Sequence, residues 1–274
     1  MLSKKKISFI GAGKMAEAII SGIIRNKLFA PGNIFASDKD HQRLSHMVSK
    51  YRIKAAEDNV KAVIVSDVVV LSVKPQQKTA VLDQIKGSVE TGQLFISIAA
   101  GIPLSLLEEK LSGCPVIRVM PNNPCMIGEG MSVISKGRNA SDIDLKTTER
   151  IFASIGRTMI LDEKHIDAAT GLSGSGPAFV YRFMEALIEG GMKSGLDREI
   201  ASELAKQTIM GAIKTVIETK VPASELCEMV ASPGGTTVEG FKVLDEAKFN
   251  DIVADAVYAA AARAKQLSKE FGGK

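Results

Sequence analysis

Two periodicities divide the chain. Over roughly the first 160 residues, short apolar β-rich runs recur at residues 7–10, 34–37, 53–55, 68–73, 94–98, 116–120, 132–134 and 158–161. Between them lie stretches with apolar positions at helical spacing, such as Met15, Ile19, Ile20, Ile23 and Ile24, and further stretches at 40–51, 59–66, 76–85, 104–111 and 143–155. Strands alternating with helices predict βα units and a mostly parallel, doubly wound sheet. The run 68–73 is apolar on both faces, as a central parallel strand should be. After about Asp162 the strand pattern ends and helical spacing takes over, at 178–193, 197–220, 238–247 and 249–271. The expected architecture is an α/β domain over residues 1–163 followed by an all-α domain over 164–274.

The first turn sharpens this picture. Gly11-Ala12-Gly13-Lys14-Met15-Ala16 follows directly on the first strand and opens the first helix. It fits G-x-G-x-x-G/A in the order that a Rossmann-type dinucleotide site requires. Gly11 allows the tight turn, Gly13 lets the backbone approach a pyrophosphate, and Ala16 lets the helix pack on the sheet. The free N–H groups and dipole of the helix start favour phosphate charge. Asp38 closes the second strand after Ser37, where an acid accepts hydrogen bonds from an adenosine ribose. It reads equally as the N-cap of helix 40–51, while Lys39 and Arg43 beside it suit a ribose phosphate. Three further strand ends meet on the same carboxyl edge: Ser72-Val73-Lys74-Pro75, Ala99-Ala100-Gly101 and Pro121-Asn122. Ligands of open α/β sheets sit at that edge, and the small residues 99–101 suit the approach of a flat ring.

Composition excludes several classes. The 274 residues are 45% hydrophobic and 24% charged, so the chain builds cores and is not disordered. The net charge of +4 comes from 35 basic and 31 acidic residues spread along the sequence, with one short basic run at Lys4-Lys5-Lys6. With no tryptophan and few aromatics, nucleic acid is not an expected partner. Cys114, Cys125 and Cys227 are far apart and form no C-x-x-C; they read as buried free thiols in a reducing compartment. The three histidines make no ligand cluster with them, so no metal is expected. No apolar run suits a membrane span or a signal peptide, and a soluble cytoplasmic protein is expected.

The helical half carries two glycine-and-hydroxyl segments. Gly171-Leu172-Ser173-Gly174-Ser175-Gly176-Pro177-Ala178 reads as a helix start rich in exposed N–H donors, with Pro177 at the first helical position. Ala231-Ser232-Pro233-Gly234-Gly235-Thr236-Thr237 reads as a second anion nest before a helix. Gly190, Gly191, Gly195 and Gly211 suggest close helix contacts. The last helix is rich in alanine from Ala254 to Ala264, a smooth surface suited to another helix, such as one from a second chain.

Taken in order, Gly11–Met15, Ser72–Pro75, Ser97–Gly101, Val119–Asn122, Leu172–Ala178 and Ala231–Thr237 resemble the motifs of the pyrroline-5-carboxylate reductases over nearly the whole chain. The last two are the most specific, because Rossmann proteins at large lack the pair. The resemblance implies NADPH- or NADH-dependent reduction of the cyclic imine 1-pyrroline-5-carboxylate to L-proline. It also implies a helical domain that interleaves with its twin in a homodimer; in some members the dimers build larger rings. On this reading the cofactor lies along Gly11, Ala12, Gly13, Lys14, Met15, Ser37, Asp38, Asn59, Ser72, Val73, Lys74, Pro75, Ala99, Ala100, Gly101, Pro121 and Asn122. The substrate is held by Ser173, Gly174, Ser175, Gly176 and Pro177 together with Ser232, Gly234, Gly235, Thr236 and Thr237. Thr237 matches the threonine expected at the ring nitrogen. Asp38 stands where members favouring NADPH often have a hydroxyl or a small residue, which leaves the choice of cofactor open. The β-hydroxyacid dehydrogenases share the domain plan but use a lysine early in the helix after their glycine segment; here residues 179–183 hold none, and Lys193 is the first. A non-catalytic nucleotide-binding regulator would have no use for the 232–237 nest.

Overall fold

The computed structural model describes residues 2–272. Its sheet has eight strands: β1 (Ile7–Ile10), β2 (Ile34–Ser37), β3 (Lys54–Ala55), β4 (Val68–Leu71), β5 (Leu94–Ser97), β6 (Val116–Met120), β7 (Gly130–Lys136) and β8 (Gly156–Ile160). They lie in the order β3-β2-β1-β4-β5-β6-β7-β8, with every pair parallel except β6 with β7. The order reverses direction between β1 and β4. The glycine turn after β1 therefore sits at the switch point, where open sheets bind ligands.

Helices α1 (Lys14–Arg25), α2 (His41–Tyr51) and α6 (Asp142–Ala153) cover one face. Helices α3 (Asn59–Ile64), α4 (Pro75–Ile85) and α5 (Leu104–Lys110) cover the other. The alternation of side chains decides which cluster each strand residue joins: Ile96 lies with the first, Phe95 with the second. The β4 run Val68–Leu71 is wholly buried, as its double-faced pattern predicts.

Several strand bounds shift by a residue or two, and one strand also differs in direction. β7 runs from Gly130 rather than 132, and it is antiparallel to β6. A 3-10 turn over Asn123–Ile127 ends at Gly128 in the left-handed region (φ 84°), and this reverses the chain without a crossover helix. Gly130 and Gly156 then face each other in the β7–β8 register, and a Cβ on Gly156 would run into the Gly130 backbone.

Beyond β8 the chain is helical: α7 (Ile166–Ala169), α8 (Gly176–Lys193), α9 (Arg198–Thr219), α10 (Ala223–Met229), α11 (Thr236–Glu246) and α12 (Phe249–Gly272). The chain divides into two compact units. One comprises the residues up to Ser175 together with the run from Ala259 onward; the other is Gly176–Tyr258. In the second unit α8 and α9 form a hairpin closed by Gly195 (φ 98°), and Gly191 lets them approach, since a Cβ there would stand 3.0 Å from the Ala201 Cβ. Gly190 and Gly211 have open space beside them, so the close helix contacts expected of them are not made among the described residues. The buried cluster of this unit is small, Ile188, Ala201 and Ala205 with Met184 against it. Large apolar side chains are exposed along all its long helices, among them Leu204, Ile213 and Ile217 on α9 and Val243 on α11.

Cys114 and Cys125 are buried and burial pushes both thiols up, whereas Cys227 on α10 is exposed, contrary to the expectation of three buried thiols. The reason is α10 itself, a seven-residue helix with no buried residue. No helix among the described residues is long and apolar enough to cross a membrane, and no group of three or more metal-ligating side chains is found among them.

Candidate functional site

The glycine turn is built to leave amides unspent. The Gly11 N–H donates to the Ser37 carbonyl (2.8 Å) and the Ala12 N–H to the Asp38 carboxylate (2.6 Å). The N–H groups of Lys14 and Met15 open α1, where no intrahelical acceptor exists for them. Gly11 takes φ 97°, and a Cβ there would stand 2.9 Å from the Ser72 carbonyl. A Cβ on Gly13 would meet nothing within 4 Å. Gly11 is thus required by the protein itself, while the space at Gly13 belongs to whatever approaches the helix start. An anionic group of a dinucleotide fits there.

Asp38 is not the helix cap. Asp40 caps α2 by accepting from the Arg43 N–H, while Asp38 accepts from Ala12 and from the Asp40 N–H (2.9 Å). Arg43 reaches back to the turn as well, its Nε donating to the Ala12 carbonyl (2.7 Å) and its Nη2 pairing with Glu17. Lys50 and Tyr51 also donate to Glu17 (both 2.9 Å). Burial pushes the Glu17 carboxyl up, but the hydrogen bonds from Arg43, Lys50 and Tyr51 outweigh it and hold its pKa at about 2. This cluster fixes α2 against the turn. Sequence reading missed Glu17, although its place in the first turn of α1 opposite a basic helix was a signal. Because the folded value is depressed, the cluster stabilises the fold at neutral pH, and the stabilisation fades as pH falls from about 4.5 toward 2. Glu17→Gln is expected to cost about 1–3 kcal/mol at pH 7 in urea unfolding, with the deficit shrinking through that window.

Several of the expected polar contacts turn out to build the rim. The Ser72 hydroxyl donates to the carbonyls of Gly11 (2.6 Å) and Ile10 (3.0 Å), tying β4 to the turn. Ser37 donates to Asn59 (2.8 Å), and Asn59 donates to Gln84. Asn122 donates to the Ser173 carbonyl (3.0 Å) and accepts from the Met131 N–H (2.9 Å). Val73, Lys74 and the backbone start of α4 at Pro75 continue the edge, with Ala99 buried behind it and Pro121 closing β6. Gly101 (φ 75°) has a further reason to be glycine: a Cβ there would stand 3.0 Å from the Leu267 Cβ of α12. The final helix is pinned nearby by a Ser268–Asp167 hydrogen bond (2.9 Å), and Asp167 and Glu163 both face the buried Arg118.

The segment 171–178 is not an open helix start. Thr170–Gly174 form a π-turn that continues α7 toward α8, with the Ser175 N–H donating to the Thr170 carbonyl (2.9 Å). Ser173 and Thr170 send their hydroxyls to carbonyls four residues back. The glycines and serines accommodate a π-turn, a form that recurs at functional sites. The 231–237 segment leads into a helix, which begins at Thr236 rather than at 238. Gly234 is left-handed (φ 72°), Gly235 caps α11, and Thr236 and Thr237 are its first two residues. Among the described residues no side chain or backbone group takes the hydroxyls of Ser232, Thr236 or Thr237.

Comparison with known proteins decides the family. Residues 163–267 match the family model for pyrroline-5-carboxylate reductase dimerisation, and residues 6–101 that for the coenzyme F420-dependent NADP oxidoreductases. A Methanosarcina acetivorans pyrroline-5-carboxylate reductase is 42% identical over 270 residues, covering 98% of this chain and all of the relative. The chain belongs to the pyrroline-5-carboxylate reductase family. The Arabidopsis thaliana reductase is 38% identical over 96% of both chains. Among solved structures, the Plasmodium falciparum pyrroline carboxylate reductase with NADP bound superposes with a TM-score of 0.90 at 33% identity, covering 98% of this chain and 100% of its own. The Coxiella burnetii reductase gives 0.89 at 34%, covering 97% and 99%. The family's dimerisation region coincides with the helices whose apolar faces are uncovered here. On α8 and α12, Phe179, Val180, Phe183, Phe249, Ile252 and Val253 line a groove of about 440 Å³.

Proposed function

We propose that this chain reduces 1-pyrroline-5-carboxylate to L-proline as a cytoplasmic homodimer, with residues 1–163 binding NADPH or NADH and residues 164–274 binding the substrate and the partner chain. Membership of the family and the match at 163–267 support the reaction and the dimer. A ring of such dimers is the larger assembly compatible with this reading. The glycine turn, Asp38 and the 72–75, 99–101 and 121–122 edges hold the cofactor. When bound, the reduced nicotinamide supplies a hydride for the imine carbon.

The chain's own part is positioning. A cyclic imine carries its proton into the site as an iminium, already a strong electrophile, and after hydride addition the nitrogen keeps that proton as an amine. No strong protein acid is needed, and orientation supplies the rate. The α11 start offers the substrate carboxylate the N–H groups and hydroxyls of residues 232–237, and residues 173–177 are the second substrate-binding segment of this reading. Thr237 faces the ring nitrogen, since a hydroxyl both donates one hydrogen and accepts through two lone pairs.

One observation carries the assignment of Thr237: its hydroxyl is not spent on capping α11. Thr237→Val keeps the shape and removes the hydrogen bond. With a bond to a charged group worth about 1.5–3 kcal/mol, kcat/KM for pyrroline-5-carboxylate should fall roughly ten- to a hundredfold, with melting temperature and cofactor affinity unchanged. The assay follows nicotinamide oxidation with pyrroline-5-carboxylate against 3-hydroxyacids. A folded variant with a normal rate would sink the role of Thr237, and turnover of 3-hydroxyacids alone would sink the reaction.

A further inference from the structure

The apolar stripe of α4 contains one residue that breaks it. Positions 78, 81, 82 and 85 share a face at helical spacing, and Val81, Leu82 and Ile85 are buried as the pattern requires. Position 78 is a lysine, and it is fully buried. A polar group at a core position with no compensating gain in packing marks a functional or strained site in natural sequences.

Lys78 Nζ donates to the Ser97 hydroxyl (2.6 Å), and this is its hydrogen-bond partner among the described residues. Ser97 is the last residue of β5, two positions before Ala99, and pairs in register with Arg118 of β6. Lys78 lies three residues after Pro75, where α4 begins. The hydrogen bond therefore joins two edges of the cofactor crevice, 72–75 and 99–101, from beneath.

Among the described residues no carboxylate pairs with the amine. On β6 its charged neighbour is the Arg118 guanidinium, held by Glu163 (3.0 Å) and Asp167 (3.7 Å) on the far side. On α5, which packs against α4, Glu108 pairs with Arg138 and Lys110 with Asp83. β4 presents only apolar residues and β5 only Ser97. Burial first, and the charge of Arg118 second, push the Lys78 amine well below the usual lysine range.

We propose that Lys78 is a positioning residue for the reductase reaction, holding the Lys74–Pro75 edge against the Ala99–Gly101 edge so that the crevice between them fits the nicotinamide cofactor. The inference rests on the cofactor reading of those two edges. Its consequence is a response to acid. Burial and the charge of Arg118 disfavour the ammonium at this place, so protonating Lys78 costs free energy in the folded state. The sign for stability follows from the same fact. The unfolded chain holds the proton more tightly than the folded one, so stability from this site rises with pH between the folded value and the ordinary lysine range and is level outside that window.

The test compares the full-length parent with Lys78→Met and Ser97→Ala, measuring NADPH and NADH affinity by fluorescence titration between pH 6 and pH 9. Lys78→Met fills the volume without a charge; Ser97→Ala removes only the acceptor and serves if the first variant fails to fold. At pH 9 each variant should bind cofactor about fivefold more weakly, the worth of one hydrogen bond. For Lys78→Met the gap in melting temperature from the parent should shrink as pH rises toward the ordinary lysine range, because the parent's unfolded chain then takes up less of the proton. Lys78→Met should also melt above the parent at pH 6. Unchanged cofactor affinity at every pH, with only the melting temperature moved, would overturn the positioning role. A parent that binds neither cofactor would overturn the crevice reading and this inference with it.

Discussion

Gly13→Val should fold as the parent does and lose about a hundredfold or more in affinity for NADPH and NADH. The expectation comes from the contrast between two glycines two residues apart. A side chain at Gly11 would press on the Ser72 backbone at a φ that favours glycine, so its replacement damages the fold. A side chain at Gly13 meets no protein atom within 4 Å. It occupies instead the approach to the first amides of α1, and valine there holds a phosphate away from them. Charge-assisted hydrogen bonds are worth about 1.5–3 kcal/mol each, so losing two accounts for the expected factor. Calorimetric titration with circular dichroism on the same sample checks it. An unchanged dissociation constant would show that the turn closes a βα unit and nothing more.

The second large effect is expected on α9. Ile213 and Ile217 are each 58% exposed in the single chain, and replacing an exposed isoleucine normally moves stability by less than about 0.5 kcal/mol. Ile213→Asp should instead abolish the proposed dimer, because on that reading it places an unpaired charge in an apolar surface that the partner would cover. The helical unit should lose its structure with the dimer, since Ile188, Ala201 and Ala205 are too small a core to hold its helices together. Light scattering and the helical signal at 222 nm should fall together. A variant that stays dimeric would exclude this face of α9 from the interface; one that becomes a stable, active monomer would refute obligate dimerisation.

The first unit was legible because its two periods rarely conflict. Val68–Leu71 could only be an inner strand, and the Gly11–Ala16 turn stood between a strand and a helix as its use requires. What stayed hidden were cases where one residue type serves two purposes. Ser173 and Ser175 look like helix-start residues, yet the Ser173 hydroxyl bonds backward inside a π-turn, as that of Thr170 does. Gly101 suited the approach of a ring, but Leu267, far along the chain, also needs the space. Asp38 and Asp40 are interchangeable as caps by composition, and only the geometry divides their tasks. The reversal of β7 depended on Gly128 taking a positive φ, which spacing alone does not reveal. Lys78 was passed over because a lysine in a helix is ordinarily taken for a solvent-facing residue.

The place of Leu267 and Phe271 has a consequence for the order of events during synthesis. The sheet has all its strands once Ile160 has left the ribosome, yet Gly101 and the cluster on the α4–α5 face are not covered until Phe271 arrives. At about 5–20 residues per second that interval is on the order of ten seconds. Throughout it the nascent sheet waits with an uncovered seam, so vectorial folding cannot finish the first unit ahead of the second.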